Sequence, residues 1–156
     1  MKFELLLLGK NREKYLAAGI EDYHKRLLRF LPVELRIIKE KKFSGAQSDD
    51  EIKKEEGKII LSRLPKGACL IALDPGGREI DSQGLASFIT QLESQGRNTL
   101  CFIIGGSLGL SRQVLSRADY ILSLSQMTFT HEMARLILLE QLYRACNIRA
   151  GTAYHK

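Results

Sequence analysis

The apolar and polar positions in the first half of the chain alternate between patterns typical of strands and of helices. An uninterrupted apolar run predicts a buried strand, and apolar residues at steps of three and four positions predict an amphipathic helix. The predicted strands cover residues 3–8 and 33–38. The predicted helices cover residues 12–31, before Pro32, and a segment that runs from a cap at Asp49 or Asp50 to Leu64. A polar loop over residues 39–50 separates the second strand from the second helix.

The second half of the chain repeats the rhythm of a strand followed by a helix. Strands are predicted over residues 68–73, 99–104 and 120–124, and helices over residues 85–92, 111–115 and 131–148. This alternation is typical of an α/β fold with a mostly parallel sheet flanked by helices. A length of 156 residues is that of one domain, so we expect a single domain over residues 1–156.

The last predicted helix carries more apolar residues than one stripe requires. They are Met133, Ala134, Leu136, Ile137, Leu138, Leu139, Leu142, Tyr143, Ala145, Cys146 and Ile148. A helix that is apolar around much of its circumference must be buried on more than one side. We therefore expect a homodimer whose interface lies on this helix, with Leu138 or Leu139 facing the second copy.

Charge and cysteine content narrow the classes of function. The chain carries 24 basic and 18 acidic residues, a net charge of +6, and residues 1–42 hold 11 basic against 6 acidic. This imbalance favours a polyanionic partner. The three cysteines, at positions 69, 101 and 146, form no CxxC pair and lie in apolar runs, which predicts buried reduced thiols. The first apolar run is too short to span a membrane, so we expect a cytoplasmic protein.

Three predicted strand ends carry glycines or hydroxyl groups. Asp74-Pro75-Gly76-Gly77 follows one strand, residues 105–109 (GGSLG) follow the next, and residues 125–130 (SQMTFT) follow the third. Ligands of open α/β sheets bind beyond the carboxyl ends of the strands, so these segments predict a pocket for a small ligand. The alternative for each glycine is that it only shapes its loop.

A serine hydrolase is a second interpretation of the same region. The GGSLG segment fits the nucleophile elbow, and Ser107, Asp119 and His131 stand in the order of a hydrolase triad. The elbow requires a helix that begins at the nucleophile, whereas Ser111 is the predicted helix cap here. The short interval from Asp119 to His131 also argues against a triad.

The C-terminal region combines cations with aromatic rings. Arg144 and Arg149 lie on the last helix, close in sequence to Tyr143, Tyr154 and His155, a composition suited to contacts with RNA bases. The alternative is a solvated helix with a frayed end. The step of four positions between Glu140 and Arg144 by itself predicts an ordinary ion pair on the helix surface.

Four segments, in order along the chain, resemble the motifs of one known family. They are residues 103–110 (IIGGSLGL), 122–131 (LSLSQMTFTH), 139–145 (LEQLYRA) and 153–156 (AYHK). Together they are similar to the RlmH family of SPOUT methyltransferases. The resemblance implies an α/β fold whose C-terminal segment forms a trefoil knot. It also implies a homodimer that transfers a methyl group from S-adenosylmethionine to ring nitrogen three of a pseudouridine in 23S ribosomal RNA, within the assembled ribosome and without a metal.

The resemblance also assigns site residues. The cofactor pocket is implied to contain Leu73, Gly105, Leu124, Ser125, Gln126, Met127, Thr128 and Phe129. The catalytic group is implied to contain Arg144, with Glu140, Tyr154 and His155 completing it, and no proton acceptor is assigned. Thr130 stands where the family often has proline. A non-catalytic RNA- or ribosome-binding module is the alternative, and cofactor binding distinguishes the two.

Overall fold

The computed structural model describes residues 1–41 and 45–155, except for the side chain of His155. Its strands are β1 (Lys2–Leu8), β2 (Val33–Ile38), β3 (Cys69–Glu79), β4 (Thr99–Ile104) and β5 (Tyr120–Ser123). Its helices are α1 (Lys14–Leu27), α2 (Asp49–Ser62), α3 (Ser82–Ser94), α4 (Arg112–Arg117) and α5 (His131–Arg149), followed by a 3-10 turn at Ala153–His155. Residues 42–44, part of the predicted polar loop, lie outside the described ranges.

The five strands form one parallel sheet in the order β2-β1-β4-β3-β5. In β1, which lies between β2 and β4, Leu5 pairs with Leu35 of β2 on one side and with Phe102 of β4 on the other. Parallel neighbours need crossover connections, and the helices between the strands supply them. The α/β prediction, with helices flanking a parallel sheet, is confirmed.

Both faces of the sheet are covered, as the alternation along β1 shows. Phe3, Leu5 and Leu7 belong to the core under α1, α3 and α5, whereas Leu6 and Leu8 belong to the core under α2 and α4. Successive side chains on a strand point to opposite faces, so an uninterrupted apolar run requires packing on both sides. The three cysteines are buried free thiols within these cores, as predicted.

The ends of several helices differ from the prediction, and two of these differences have a clear physical cause. Helix α1 ends at Leu27 and not at residue 31, because the backbone tightens there and the N–H of Phe30 donates to the carbonyl of Leu27. Helix α2 is capped by Ser48 and not by Asp49 or Asp50. The Ser48 hydroxyl accepts from the backbone of Glu51, and the Glu51 carboxylate accepts from the backbone of Ser48.

Strand β3 is longer than predicted. It continues past residue 73 through the Asp-Pro-Gly-Gly segment, with a shift in its pairing to β5 between Leu73 and Arg78. A Cβ on Gly77 would lie 2.7 Å from the backbone of Leu122, so only glycine lets the two strands approach here. The Asp74 side chain accepts a hydrogen bond from the backbone of Gly76, which shapes the irregular stretch.

Helix α5 buries five of its apolar residues within its own chain: Leu138, Leu139, Leu142, Ala145 and Cys146. It lies between α1 and α3 and also contacts β4, so three neighbours cover it. Leu138 and Leu139 are 2% and 0% exposed. The expectation that one of them faces a second copy is wrong, because the flanking helices supply the second apolar contact. The dimer and the trefoil knot stay predictions.

No helix within residues 1–41 and 45–155 combines the length and the apolar character that crossing a bilayer requires.

Candidate functional site

A cavity of about 1020 Å³ opens beyond the carboxyl ends of β3, β4 and β5. The loop after β1 and the first turn of α5 complete its wall. Seven of the eight residues expected to hold the cofactor line it: Leu73, Gly105, Leu124, Ser125, Met127, Thr128 and Phe129. Gln126, the eighth, is exposed and lies off the lining. The strand ends chosen from sequence therefore meet around one cavity.

The loop after β5 is held in shape by its own hydroxyl groups. Ser123 donates to the carbonyl of Ser125, at 2.9 Å, and the Ser125 hydroxyl accepts from the backbone N–H of Met127, at 3.0 Å. Thr130 caps α5, since its hydroxyl accepts from the backbone of Met133. A threonine where the family often has proline thus contributes a side-chain cap that proline lacks. Met127 is 73% exposed, so it can cover a flat ligand.

Gly105 serves the geometry of its loop as well as the cavity. A Cβ at this position would lie 2.8 Å from the backbone carbon of Gly109 and 3.1 Å from the Leu110 side chain. The loop turns back tightly, with Gly106 bridged to Gly109. A valine at Gly105 would therefore distort the loop itself.

Sequence reasoning missed one side of the cavity, the loop between β1 and α1. Arg12 and Glu13 of this loop, with Tyr15 and Leu16 of the first turn of α1, line the cavity there. The buried carboxylate of Glu132, on α5, accepts from the backbone N–H groups of Arg12, at 2.9 Å, and Glu13, at 3.1 Å. The sequence did contain a signal for this loop. Because β1 is predicted as a parallel strand, the loop after it lies at the same edge of the sheet as the other strand ends.

A fully buried arginine ties the same loop to α5. Arg135 donates to the carbonyl oxygens of Leu8 and Gly9 and to the side-chain oxygen of Asn11. Burial lowers the pKa of Arg135, although the negative charge of Glu132 opposes this shift. The first turn of α5 and the cavity wall after β1 therefore form one connected unit.

The electrostatics of the cavity suit a cationic ligand. Four carboxylates line it, against two basic side chains: Glu13, Glu40, Asp74 and Glu132 against Arg12 and Lys53. Burial, and then the positive charge of Arg135, lower the pKa of His131, so the imidazole at the cavity is neutral at pH 7. Burial alone would raise the pKa of Glu132, but hydrogen bonds from the backbone of Glu13 and Arg12 outweigh it and lower that pKa.

The structure does not assemble the hydrolase triad. Ser107 and His131 line the cavity, but the Asp119 carboxylate accepts from the backbone N–H of Leu70, at 2.7 Å, and lies beside a second cavity at the amino ends of the strands. The helix after the glycine segment begins with Ser111 as its cap, as predicted, and not at Ser107. The hydrolase interpretation is wrong on both counts.

The predicted catalytic residues form a second cluster, at the far end of α5. Arg144 pairs with Glu140 at 2.6 Å, and its guanidinium lies 5.1 Å from the centre of the Tyr154 ring. Tyr154 packs edge-on against Tyr143, and its hydroxyl lies 3.5 Å from that of Tyr23. This contact, with burial, raises the pKa of Tyr23 to about 12. The side chain of His155 lies outside the described residues.

The two clusters do not meet within one chain. His131, at the cavity, and Arg144 lie on the same helix, and the 13 positions between them correspond to about 20 Å at a rise of about 1.5 Å per residue. The structure thus groups seven of the residues predicted to hold the cofactor, and it groups Arg144, Glu140 and Tyr154 of the predicted catalytic residues, but it keeps the two groups apart.

Comparisons with known proteins identify relatives over the full length of the chain. The family model "Predicted SPOUT methyltransferase" matches residues 1–155. The chain is 48% identical over 156 residues to "Ribosomal RNA large subunit methyltransferase H" of Desulfotalea psychrophila. It is 46% identical over 160 residues to the protein of the same name from Halothermothrix orenii. Each comparison covers all of both chains.

Solved structures with the same fold are more distant in sequence. A probable methyltransferase from Bordetella pertussis Tohama I superposes with a TM-score of 0.54 at 13% identity, covering 93% of this chain and 95% of that one. A probable methylase family protein from Haemophilus influenzae Rd KW20 superposes with a TM-score of 0.52 at 11% identity, covering 96% of this chain and 66% of that one. These two structures support the fold, and the family model with the full-length relatives supports the closer assignment: the chain belongs to the RlmH family of SPOUT methyltransferases.

Proposed function

We propose that the protein transfers a methyl group from S-adenosylmethionine to ring nitrogen three of a pseudouridine in 23S ribosomal RNA. It acts as a homodimer on the assembled ribosome, in the cytoplasm. The observation that carries the proposal is the cavity at the strand ends, lined by seven residues that the family resemblance assigns to the cofactor. Relatives named as large-subunit ribosomal RNA methyltransferases, 46–48% identical over their full length, support the substrate class.

The residues of the cavity fit this cofactor. Its volume of about 1020 Å³ is ample for a nucleoside with an amino-acid side arm. Leu73, Leu124 and Met127 offer apolar surface for the two faces of an adenine, and nearby backbone groups offer donors and acceptors for its edge. The excess of carboxylates on the lining favours a ligand that carries a sulfonium. When bound, the cofactor supplies an activated methyl group.

The protein itself has to bind the cofactor and the RNA, orient the reacting groups and stabilise the deprotonated ring. The rigid connection between α5 and the loop after β1 fixes one wall of the cavity, so the reacting groups are held in a defined position. Arg144 is the group that contacts the RNA or stabilises the ring after it loses its proton. Glu140 holds the guanidinium in place through two hydrogen bonds, at 3.0 and 2.6 Å.

The separation of the two clusters supports a dimeric site. Arg144 lies about 15 Å along α5 from Ala134, a residue of this helix that lines the cavity, so we propose that a second copy supplies the arginine. The 3-10 turn that carries Tyr154 belongs to the same cluster, so it reaches the partner's cavity together with Arg144. In this arrangement each active site combines the cavity of one chain with the C-terminal cluster of the other.

Equilibrium titration with S-adenosylmethionine and with its demethylated product tests cofactor binding. Saturable binding of one equivalent per chain is expected. A protein that binds ribosomes but neither cofactor form would be the non-catalytic module and would refute the methyltransferase proposal.

Mixing two inactive variants tests the shared site. One variant lacks residues 153–156, and the other carries Leu124→Glu in the cavity. Each is expected to transfer no methyl groups alone. After unfolding and refolding together at equal amounts, the mixture should recover about a quarter of the wild-type activity, because half of the dimers are mixed and each has one intact site. If each site were built within one chain, the mixture would stay inactive.

A further inference from the structure

Helix α2 carries two oppositely charged side chains near the cavity, one on its lining and one buried behind its wall, and neither belongs to the residues assigned so far. Lys53 lines the cavity directly. Glu56 follows three positions later, on the same face of the helix, behind the cavity wall at Gly106. Lys53 has no recorded ion pair in the parts of the chain that the structure describes, whereas the neighbouring Glu55 pairs with Lys58.

Glu56 is a buried carboxylate that makes no ion pair with the residues that the structure describes. It is 9% exposed, and its Oε2 atom has no hydrogen-bond donor among the described residues. Its two oxygens lie 3.5 and 3.7 Å from the point where a Cβ on Gly106 would stand. Gly106, Glu40 and Lys53 all line the cavity, so the carboxylate lies directly against its wall. A buried charge that lacks a partner is strongly unfavourable, which makes a ligand cation the natural complement.

We propose that Lys53 and Glu56 form a binding site for the amino-acid end of the cofactor, in which Glu56 accepts hydrogen bonds from the α-ammonium group and Lys53 pairs with the α-carboxylate. This inference rests on the proposed function, because it assumes that the cavity holds S-adenosylmethionine.

The opposite charges of Lys53 and Glu56 are complementary to the two charges of a zwitterion. A ligand with an amino group and a carboxylate on one carbon needs a negative and a positive partner a few ångströms apart, and one turn of helix spaces them so. Burial, and then the negative charge of Glu40, raise the pKa of Glu56. The pKa of a buried carboxyl group is raised when no cation lies near it, and a bound ammonium group would lower it.

Calorimetric titration with two nucleosides tests the role of Glu56. S-adenosylhomocysteine carries the amino-acid end, and 5′-methylthioadenosine lacks it. Glu56→Gln is expected to weaken binding of the first by about tenfold or more, the range for a lost charge-assisted hydrogen bond, and to leave binding of the second unchanged. Glu55→Gln, whose native side chain pairs with Lys58, is the matched control and should change neither affinity.

A second pair of variants tests Lys53 and keeps the inference falsifiable if Glu56→Gln fails to fold. Lys53→Gln should weaken the binding of S-adenosylhomocysteine but not the binding of its decarboxylated analogue, which keeps the amino group. Lys54→Gln, at an exposed position, is the control.

The outcomes separate this inference from the proposed function. Equal losses for both nucleosides, or no loss for either, would overturn the assignment of α2 while leaving the cavity as the cofactor site. If the wild-type protein binds neither nucleoside, the proposed function fails and the inference fails with it.

Discussion

Removing the buried guanidinium of Arg135 should destabilise the fold and the cavity together. Arg135→Met keeps much of the side-chain volume but leaves the carbonyl oxygens of Leu8 and Gly9 without their donor. A buried acceptor left unpaired costs about 1–3 kcal/mol, and two therefore cost about 2–6 kcal/mol. The methionine avoids the desolvation of a charge, which offsets part of this loss. We expect the free energy of unfolding to fall by about 2–3 kcal/mol.

Equilibrium unfolding in urea, at one fixed protein concentration, measures this loss. Arg149→Met is the control, because Arg149 lies on the same helix and makes an exposed ion pair with Glu93, so its loss should cost less than about 1 kcal/mol. Arg135→Met should also weaken cofactor binding, since the loop that it anchors lines the cavity. Equal stabilities for the two variants would refute the role given to Arg135.

Three further outcomes follow from the packing of the cores. Gly57→Ala should destabilise the fold by about 1–3 kcal/mol, because its Cβ would lie 2.1 Å from the Ser111 hydroxyl, whereas Gly45→Ala meets open space and should be neutral by urea unfolding. Burial raises the pKa of the Cys101 thiol to about 12, so a thiol reagent should label it only after denaturant unfolds the protein. Burial alone would raise the pKa of Glu4, but the hydrogen bonds and ion pairs of this carboxylate with Lys2 and Arg36 lower it. This carboxylate therefore stabilises the fold above its unfolded pKa of about 4, and the stability difference between wild type and Glu4→Gln should shrink as the pH falls through the lower, folded pKa.

The sequence allowed the fold to be predicted because each strand leaves a local signature. The run over residues 3–8 is apolar at every position except Glu4. Only a sheet that is covered on both faces accommodates such a run. The ends of the strands were harder to predict. Strand β3 passes through a Pro-Gly-Gly segment that is locally typical of a turn, and it does so because β5 pairs with it beyond the irregularity. Such pairing depends on residues far away in the chain.

The candidate site was predictable to the extent that strand ends determine it. Seven residues predicted to hold the cofactor meet at one cavity because three parallel strands end at the same edge. The loop after β1 could be placed at this edge from the topology, but the contacts that shape it, such as Glu132 with Arg12, join distant segments and no local pattern encodes them. The burial of Leu138 and Leu139 within the chain was missed for a related reason: a helix apolar on two sides can be covered by its own neighbours or by a second copy.

The central claim is that the protein methylates a pseudouridine of 23S ribosomal RNA. The most direct test incubates the purified protein with S-adenosylmethionine, carrying a deuterated methyl group, and with ribosomes from cells that lack the protein. Nuclease digestion and mass spectrometry then locate the label. One deuterated methyl group per ribosome is expected, on ring nitrogen three of a pseudouridine in the 23S chain. Label on any other nucleotide, or intact ribosomes without label when the cofactor binds, would contradict it.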